Sequence, residues 1–108
     1  MSHYENKESI KTMDDLKSIF PDGEADEMNW CVFSNGGIHG GYEKLDDLAG
    51  DLDEDYEYPP RINVLVIRPR LVSMLYGYIE VNKEDIPFLR KLVNSTLQAI
   101  AKSQSGNL

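Results

Sequence analysis

Residues 62–81 read INVLVIRPRLVSMLYGYIEV and contain two long runs of β-branched, aliphatic and aromatic residues. Such runs are typical of β-strands. Arg68-Pro69-Arg70 separates them, and proline cannot donate a ladder hydrogen bond within a central strand, so it marks a turn. The stretch therefore predicts a hairpin whose arms are Ile62–Ile67 and Leu71–Val81.

The second arm of this hairpin is mainly apolar on both faces. Alternate residues of a strand point to opposite sides of the sheet. One face carries Leu71, Ser73, Leu75, Gly77 and Ile79, and the other carries Val72, Met74, Tyr76 and Tyr78. We expect one face to lie under helices, and the other to pack on a further layer or to form a subunit contact. The second set is therefore our group of interface candidates.

Apolar residues at helical spacing predict a first short helix between Ile10 and Phe20. Thr12 followed by Asp15 has the pattern of a capping box with Asp in place of Glu. Pro21-Asp22-Gly23 should end this element.

Two further helices follow in the sequence. Leu45, Leu48 and Leu52 predict one from about Glu43 to Leu52, with Asp46 and Asp47 in its first turn. The last helix is capped by Asn82 or Asp85 and is the longest. Its broad apolar stripe should be the main cover of the sheet.

Residues 29–34 form a first predicted strand without a charge on either face, so we expect it to be central or covered on both sides. The element order is α-β-α-β-β-α, which predicts an α+β two-layer sandwich with a three-stranded sheet covered by the C-terminal helix. Parallel or antiparallel pairing of the first strand stays open. We predict a disordered N-terminus over 1–8, a single α+β domain over 9–104 and a polar tail over 105–108.

The composition excludes several classes of protein. The 108 residues fit one domain, the single Cys31 cannot form an internal disulfide, and the net charge is -8. An acidic chain argues against nucleic-acid binding. The N-terminus lacks a signal peptide, and no apolar run is long enough to span a membrane, so we expect a cytoplasmic protein.

The charge is divided unevenly along the chain. Residues 1–60 carry sixteen acids and four lysines (4 - 16 = -12), whereas residues 61–108 carry three acids and seven basic residues (7 - 3 = +4). Two interpretations are open. The halves attract one another within the fold, or the acidic half is a docking face for a basic protein partner.

A glycine-rich stretch over residues 34–42 follows the first strand, and its Asn-Gly and Gly-Gly pairs indicate tight turns. A loop of this kind can present N–H groups to an anion, with side-chain contacts from Ser34, Asn35, His39 and Tyr42. The spacing matches no nucleotide-binding motif, so a structural turn and a ligand or partner loop are both open.

Other candidate chemistry is limited. Asp51, Asp53 and Asp55 alternate like the start of a calcium loop, but the required glycine and final glutamate are absent, so we predict no metal and no cofactor. Cys31 lies in an apolar strand, which is typical of an inert packing thiol. Arg68 and Arg70 at the hairpin turn are possible anion contacts.

Four segments together resemble small uncharacterised bacterial proteins of the mobile gene cassette (integron cassette) type, which have a strand, a Gly-x-His-Gly loop and a hairpin followed by a helix. The segments are 29–34, 37–42, 45–48 and 86–92. The resemblance covers roughly residues 29–104. It implies no activity and assigns no functional residue.

The leading hypothesis is a non-enzymatic interaction module that forms a homodimer through the hairpin and binds a partner through its acidic half. The alternative is a small-ligand binder or enzyme that uses the loop 34–42, with His39 as acid or base and Arg68 or Arg70 as the anion contact.

Overall fold

A computed structural model of the chain describes residues 9–33, 37–54 and 60–105. The elements in order are β1 (Ser9–Ile10), α1 (Met13–Ile19), β2 (Trp30–Phe33), α2 (Gly37–Asp53), β3 (Arg61–Arg68), β4 (Ser73–Glu80) and α3 (Ile86–Ser105). The α+β class and the order α-β-α-β-β-α are confirmed, and the two-residue β1 is an addition. The predictions for residues 1–8 and 106–108 lie outside the described residues.

The hairpin of β3 and β4 forms the centre of a sheet with strand order β1-β4-β3-β2. β3 pairs antiparallel with β4 from Arg61 opposite Glu80 to Arg68 opposite Ser73. β2 is antiparallel to β3, and β1 is parallel to β4. The first predicted strand was expected to be central or covered on both sides. The first alternative was wrong, because β4 occupies one edge of β3 and β2 takes the outer position on the other.

The hairpin turn is longer than predicted and shortens the second arm. Pro69–Leu71 form a 3-10 turn, and Val72 follows with φ 47°, in the left-handed region. A β-branched residue rarely takes this conformation, because its side chain crowds the backbone. Leu71 and Val72 therefore lie in the turn and not on a face of β4.

All three helices contribute to one hydrophobic core on one face of the sheet. The core draws from β3 and β4 the alternate side chains of that face, which are Ile62, Val64, Val66, Leu75 and Ile79. Helical partners in the same cluster include Met13 and Leu16 of α1, Leu45 and Leu48 of α2, and Leu89, Leu92 and Val93 of α3. The predicted cover by the C-terminal helix is confirmed, and α1 and α2 share it.

The start of α1 follows the predicted capping box. The Asp15 backbone N–H donates to Thr12 Oγ1 at 3.2 Å, and the Thr12 N–H donates to Asp15 Oδ2 at 3.1 Å. Donation from the Lys11 and Thr12 N–H groups also lowers the pKa of the Asp15 carboxyl. Because the cap is Thr12, Ile10 lies before the helix, in β1, and the helix is shorter than its apolar spacing suggested.

α2 begins at Gly37, so the predicted turn at Gly40-Gly41 was wrong. Each helical glycine costs about 0.5–1 kcal/mol relative to alanine. Burial of Leu45 and Leu48 against the core offsets such a cost. Asp46 and Asp47 consequently lie in the middle of the helix, away from the first turn in which the sequence placed them.

α3 is preceded by a capping box in which the Asn82 N–H donates to Asp85 Oδ2 at 3.0 Å. This confirms the predicted cap. Asp85 is buried, and its other oxygen lies 3.0 Å from Lys17 Nζ, so one carboxylate connects α1 with the start of α3. Among the described residues, no helix has both the length and the apolar composition needed to cross a membrane.

Replacing Gly77 with alanine should destabilise the fold. A Cβ at this position would overlap the Ile10 carbonyl oxygen and lie 2.7 Å from Ile10 Cβ, so β1 would have to move away from β4. Overpacking of this kind costs about 1–3 kcal/mol of unfolding free energy, which chemical denaturation measures.

Gly50→Ala is the matched control. Apart from the adjoining backbone of α2 and the two neighbouring residues, no described atom lies within 4 Å of a Cβ built at Gly50, so the same change should stabilise the protein. The gain expected from helix propensity is about 0.5–1 kcal/mol. Equal stability of Gly77→Ala and the wild type would contradict close packing of β1 on β4.

Candidate interaction surface

The face of the sheet opposite the helices carries an apolar and aromatic patch, which we call the open face. Its members are Trp30 of β2, Leu65 and Ile67 of β3, and Met74, Tyr76 and Tyr78 of β4. Tyr76 is 47% exposed and Tyr78 is 55% exposed, while the other four are partly exposed. The predicted division of β4 into two faces is confirmed for residues 73–79.

The register aligns the open face in rows across the strands. Trp30 pairs with Ile67, which pairs with Met74, and Leu65 pairs with Tyr76. Neighbouring side chains of one row lie about 4.5–5.5 Å apart at Cβ. The rows therefore form one continuous patch over the middle of the sheet.

Polar groups hold the tyrosines at one end of this patch. Tyr76 OH donates to Asn63 Oδ1 at 3.2 Å. The guanidinium of Arg61 lies 5.8 Å from the centre of the Tyr78 ring, a cation–π contact worth about 0.5–1 kcal/mol at an exposed site. Both contacts orient exposed rings on the strand surface.

The exposed area is large for a chain of this size. A whole aromatic side chain presents about 150–250 Å², so the two tyrosines at about half exposure contribute on the order of 200 Å². The other four members add to this value. The largest apolar patches on soluble monomers measure about 300–600 Å² and are often functional, and the two tyrosines alone supply a substantial part of such an area.

The hairpin turn extends the apolar surface beyond the end of the sheet. Leu71 is 66% exposed and Val72 is 50% exposed. The left-handed backbone of Val72 is unfavourable for a β-branched residue. The interface candidate Val72 therefore lies beside the open face, at its tip.

The glycine-rich segment differs from its prediction. His39 and Tyr42 lie within α2, so the predicted loop of residues 34–42 is wrong from Gly37 onward. Ser34 and Asn35 lie outside the described residues, as do the side chains of His39 and Tyr42. Their proposed contacts stay predictions.

Cys31 is a packing residue of the covered face. It is 2% exposed, and its backbone N–H donates to Thr96 Oγ1 of α3 at 3.3 Å. Burial raises the pKa of the Cys31 thiol to about 12, because a thiolate loses its hydration in the core. A neutral buried thiol is a poor nucleophile, as predicted from the strand sequence.

The two hairpin arginines do not share a described cleft. Arg68 ends β3 opposite Ser73 and is partly buried, whereas Arg70 is exposed in the turn. A cleft of about 560 Å³ lies near the other end of the hairpin, with Lys11, Lys17, Arg61, Glu80 and Asp85 among its lining residues. Another of about 400 Å³ lies between Ala25 and Lys102. Neither cleft includes Arg68 or Arg70.

The opposite charges of the two halves meet in the structure. Acids of the N-terminal half pair with bases of the C-terminal half at Asp53–Lys83, Asp46–Arg90, Glu24–Lys91 and Glu27–Lys102. These pairs are at the surface, where each contributes about 0–1 kcal/mol. Attraction between the halves within the fold therefore accounts for part of the charge division.

Among the residues that the structure describes, no group of three or more His, Cys, Asp or Glu side chains is arranged to hold a metal ion.

Sequence reasoning missed Trp30, Leu65 and Ile67 as members of the open face. The alternation within β3 was available as a signal, because odd-numbered Leu65 and Ile67 point to the opposite face of the sheet from even-numbered Val64 and Val66. The sequence did not indicate which of these two sets of side chains faces the helices, and the tertiary structure does.

Comparison of the chain with protein-family models, curated proteins and solved structures finds no match. The resemblance to integron cassette proteins stays a prediction.

Cys31 should resist thiol reagents in the folded protein at pH 8. We expect labelling to be slower than in the denatured chain by a factor on the order of a thousand or more, because it requires unfolding. A thiol-reactive dye, followed with and without denaturant, measures both rates. Rapid labelling of the folded chain would contradict burial of the thiol.

The same shift has a consequence for stability at high pH. The ordinary pKa is 9.0 and the folded value is about 12, so above pH 9 the unfolded chain releases a proton that the folded chain retains. The contribution of Cys31 is complete below pH 9 and falls as the pH rises toward 12. The difference in unfolding free energy between wild type and Cys31→Ala, measured at pH 8 and 10, isolates this effect from other titrating groups.

Proposed function

We propose that this protein is a non-enzymatic interaction module that self-associates through the open face and binds a basic protein partner through its acidic half. The observation that carries the proposal is the open face. It is centred on β3 and β4, includes Trp30 of β2, and presents two ordered, half-exposed tyrosines. Tyrosine, tryptophan and methionine are enriched in protein interfaces.

The two surfaces do not compete for the same side of the molecule. α2 packs on the covered face through Leu45 and Leu48, and the open face is on the other side of the sheet. The sequence of α2 contains five acids and one lysine (1 - 5 = -4). A pair of chains joined by their open faces would leave these helices outside and accessible to a third molecule.

Part of the acidic charge has no internal counterpart among the described residues. Asp47 is exposed and Asp51 is partly exposed, and neither forms an ion pair with a described base. The whole chain still carries a net charge of -8. A surplus of this sign raises the rate and specificity of encounter with a basic partner.

The alternative function, a ligand site on the loop 34–42, has less support. It predicts a pocket at this loop with the His39 side chain exposed to it, and a His39 that is buried and bonded to backbone would contradict it. Since α2 begins at Gly37, most of that stretch is helical. The interaction module needs no such loop and is the function that the described surface favours.

Tyr76→Lys should convert the associated protein to monomer. The change places a strongly hydrated charge in the centre of the proposed contact, where it would be desolvated without a partner. Because Tyr76 is half exposed in the single chain, we expect the unfolding free energy to change by less than about 1 kcal/mol. Size-exclusion chromatography with light scattering, over a range of concentrations, gives the molar mass.

Met28→Lys is the matched control, because Met28 is 44% exposed and precedes β2 outside the open face. This variant should associate like the wild type. A wild type that stays monomeric at its highest soluble concentration would contradict the proposed self-association.

Removing the two unpaired carboxylates of α2 should weaken binding of a basic probe. We expect Asp47→Asn with Asp51→Asn to bind a lysine-rich peptide several-fold more weakly than wild type at physiological salt. Asp14→Asn with Asp22→Asn makes the same change in net charge (-8 + 2 = -6) on other elements. Isothermal titration distinguishes the cases. Equal weakening in both double variants would mean that net charge alone, without a site on α2, attracts the peptide.

A further inference from the structure

We infer that two copies of the chain pair about a twofold axis parallel to the strands and midway between β3 and β4, so that Arg61 of each copy faces Glu80 of the other. This inference rests on the proposed self-association and adds its geometry. The two elements on either side of the axis are the central strands of the sheet. Contact is therefore centred on the open face.

The symmetry follows from the register. A rotation of 180° about such an axis places β3 of one copy opposite β4 of the other and does not reverse the strand direction. Each residue of β3 then faces the residue of the second copy that corresponds to its own cross-strand neighbour. On the open face these neighbours are Arg61 with Glu80, Asn63 with Tyr78, Leu65 with Tyr76 and Ile67 with Met74. Residue i meets j and j meets i, as an isologous interface requires.

The resulting contacts are matched in chemistry. Leu65 meets Tyr76 and Ile67 meets Met74, so apolar groups lie on apolar groups in the middle of the contact. Arg61 and Glu80 have opposite charges and meet at one end, which provides two symmetric ion pairs. Facing sheets whose strands are nearly aligned are a common packing arrangement, with a separation of about 10 Å.

The other in-plane axis gives a poor match. A twofold axis perpendicular to the strands would reverse the strand direction and place the Arg61 and Glu80 end against the hairpin tip of the second copy. Arg61 would then face the position of Arg68 on β3 of the second copy, and Glu80 would face Ser73 on its β4, so neither charge would meet an opposite charge. Charged groups lose hydration there without gaining a partner, which disfavours this arrangement.

Arg61 and Glu80 are available for such a contact in the single chain. Both are exposed, and among the described residues neither forms an ion pair although they are cross-strand neighbours. The contact of Arg61 with the Tyr78 ring keeps the guanidinium on the open face. The charge that the second copy would meet is therefore already on the correct surface.

The same axis explains why the hairpin turn carries exposed aliphatic residues. The axis lies in front of the open face, halfway between the two sheets, in line with the gap between β3 and β4 and with the turn that joins them, so the two turns come together at one end of the contact. Leu71 of one copy then lies near Leu71 of the other. The exposed aliphatic residues of the turn would be covered there.

Reversal of one charge tests the inference. Arg61→Glu places acids against acids in the homodimer, and Glu80→Arg places bases against bases. Each should weaken self-association by about tenfold or more at low salt, because like charges face each other at an interface. Analytical ultracentrifugation measures the dissociation constant, and thermal unfolding checks that each variant is folded.

Mixing the two variants provides the decisive result. A pair of one Arg61→Glu chain and one Glu80→Arg chain restores both opposite-charge contacts, so heterodimers should form at least as readily as the wild-type homodimer. Loss of stability within either chain would not produce this rescue. Glu54→Arg, which changes net charge by the same amount as Glu80→Arg but lies directly after α2 at an exposed position, should leave self-association unchanged.

A second measurement does not depend on the charge variants being folded. In Leu71→Cys the new thiol is in an exposed turn, and buried Cys31 should not compete for the reagent. A short bismaleimide should link two Leu71→Cys chains, because the turns meet. With the perpendicular axis the turns would be separated by a strand length, about 26 Å for eight residues, and would not be linked. Met28→Cys is the unlinked control.

The possible outcomes separate the inference from the function on which it rests. A wild type that does not associate overturns both. A wild type that associates, with no heterodimer preference and no crosslink at Leu71→Cys, overturns the axis and leaves self-association intact. Rescue on mixing together with the crosslink establishes the axis.

Discussion

The β3–β4 hairpin is apolar on both faces, while all three helices pack on one of them. This one-sided cover determines much of the remaining structure. Val64, Val66, Leu75 and Ile79 meet the helices and form the core. Leu65, Ile67, Met74 and the two tyrosines are left on the other side, because alternate side chains cannot share a face. A sheet of this composition, covered on one side only, leaves an exposed apolar surface of the kind that is often functional on soluble proteins.

Charge organises the outside of the molecule in a related way. The acids of the first sixty residues come beside the bases of α3 and of the turn before it, at pairs such as Asp46–Arg90 and Asp53–Lys83. Each exposed pair contributes little to stability. Opposite charges cancel where the pairs form, while the chain as a whole keeps a net negative charge. The buried Asp85 differs from them. It receives the Asn82 N–H and the Lys17 ammonium, and so orders the start of α3.

Particular residues explain which predictions from sequence succeeded. Thr12 with Asp15 and Asn82 with Asp85 act within three residues, so their capping geometry is visible in the sequence. Gly40-Gly41 also acts locally, but its turn preference is weak compared with the burial of a leucine stripe, and α2 extends through it. Ile10 matched a helical spacing, yet Gly77 of β4 allows the chain to approach as β1. Such competition between local preference and distant packing is where the prediction failed.

The sequence by itself determined the α+β class, the element order, the hairpin and the two-faced pattern of β4, because each depends on periodicity or on neighbouring residues. Tertiary structure alone decided that β2 lies at an edge, that β1 joins β4, and that Trp30, Leu65 and Ile67 complete the open face. These features depend on which strand edges remain available and which set of alternate side chains the helices cover. Contacts between residues far apart in the chain set both, and the pattern within any one segment carries no record of them.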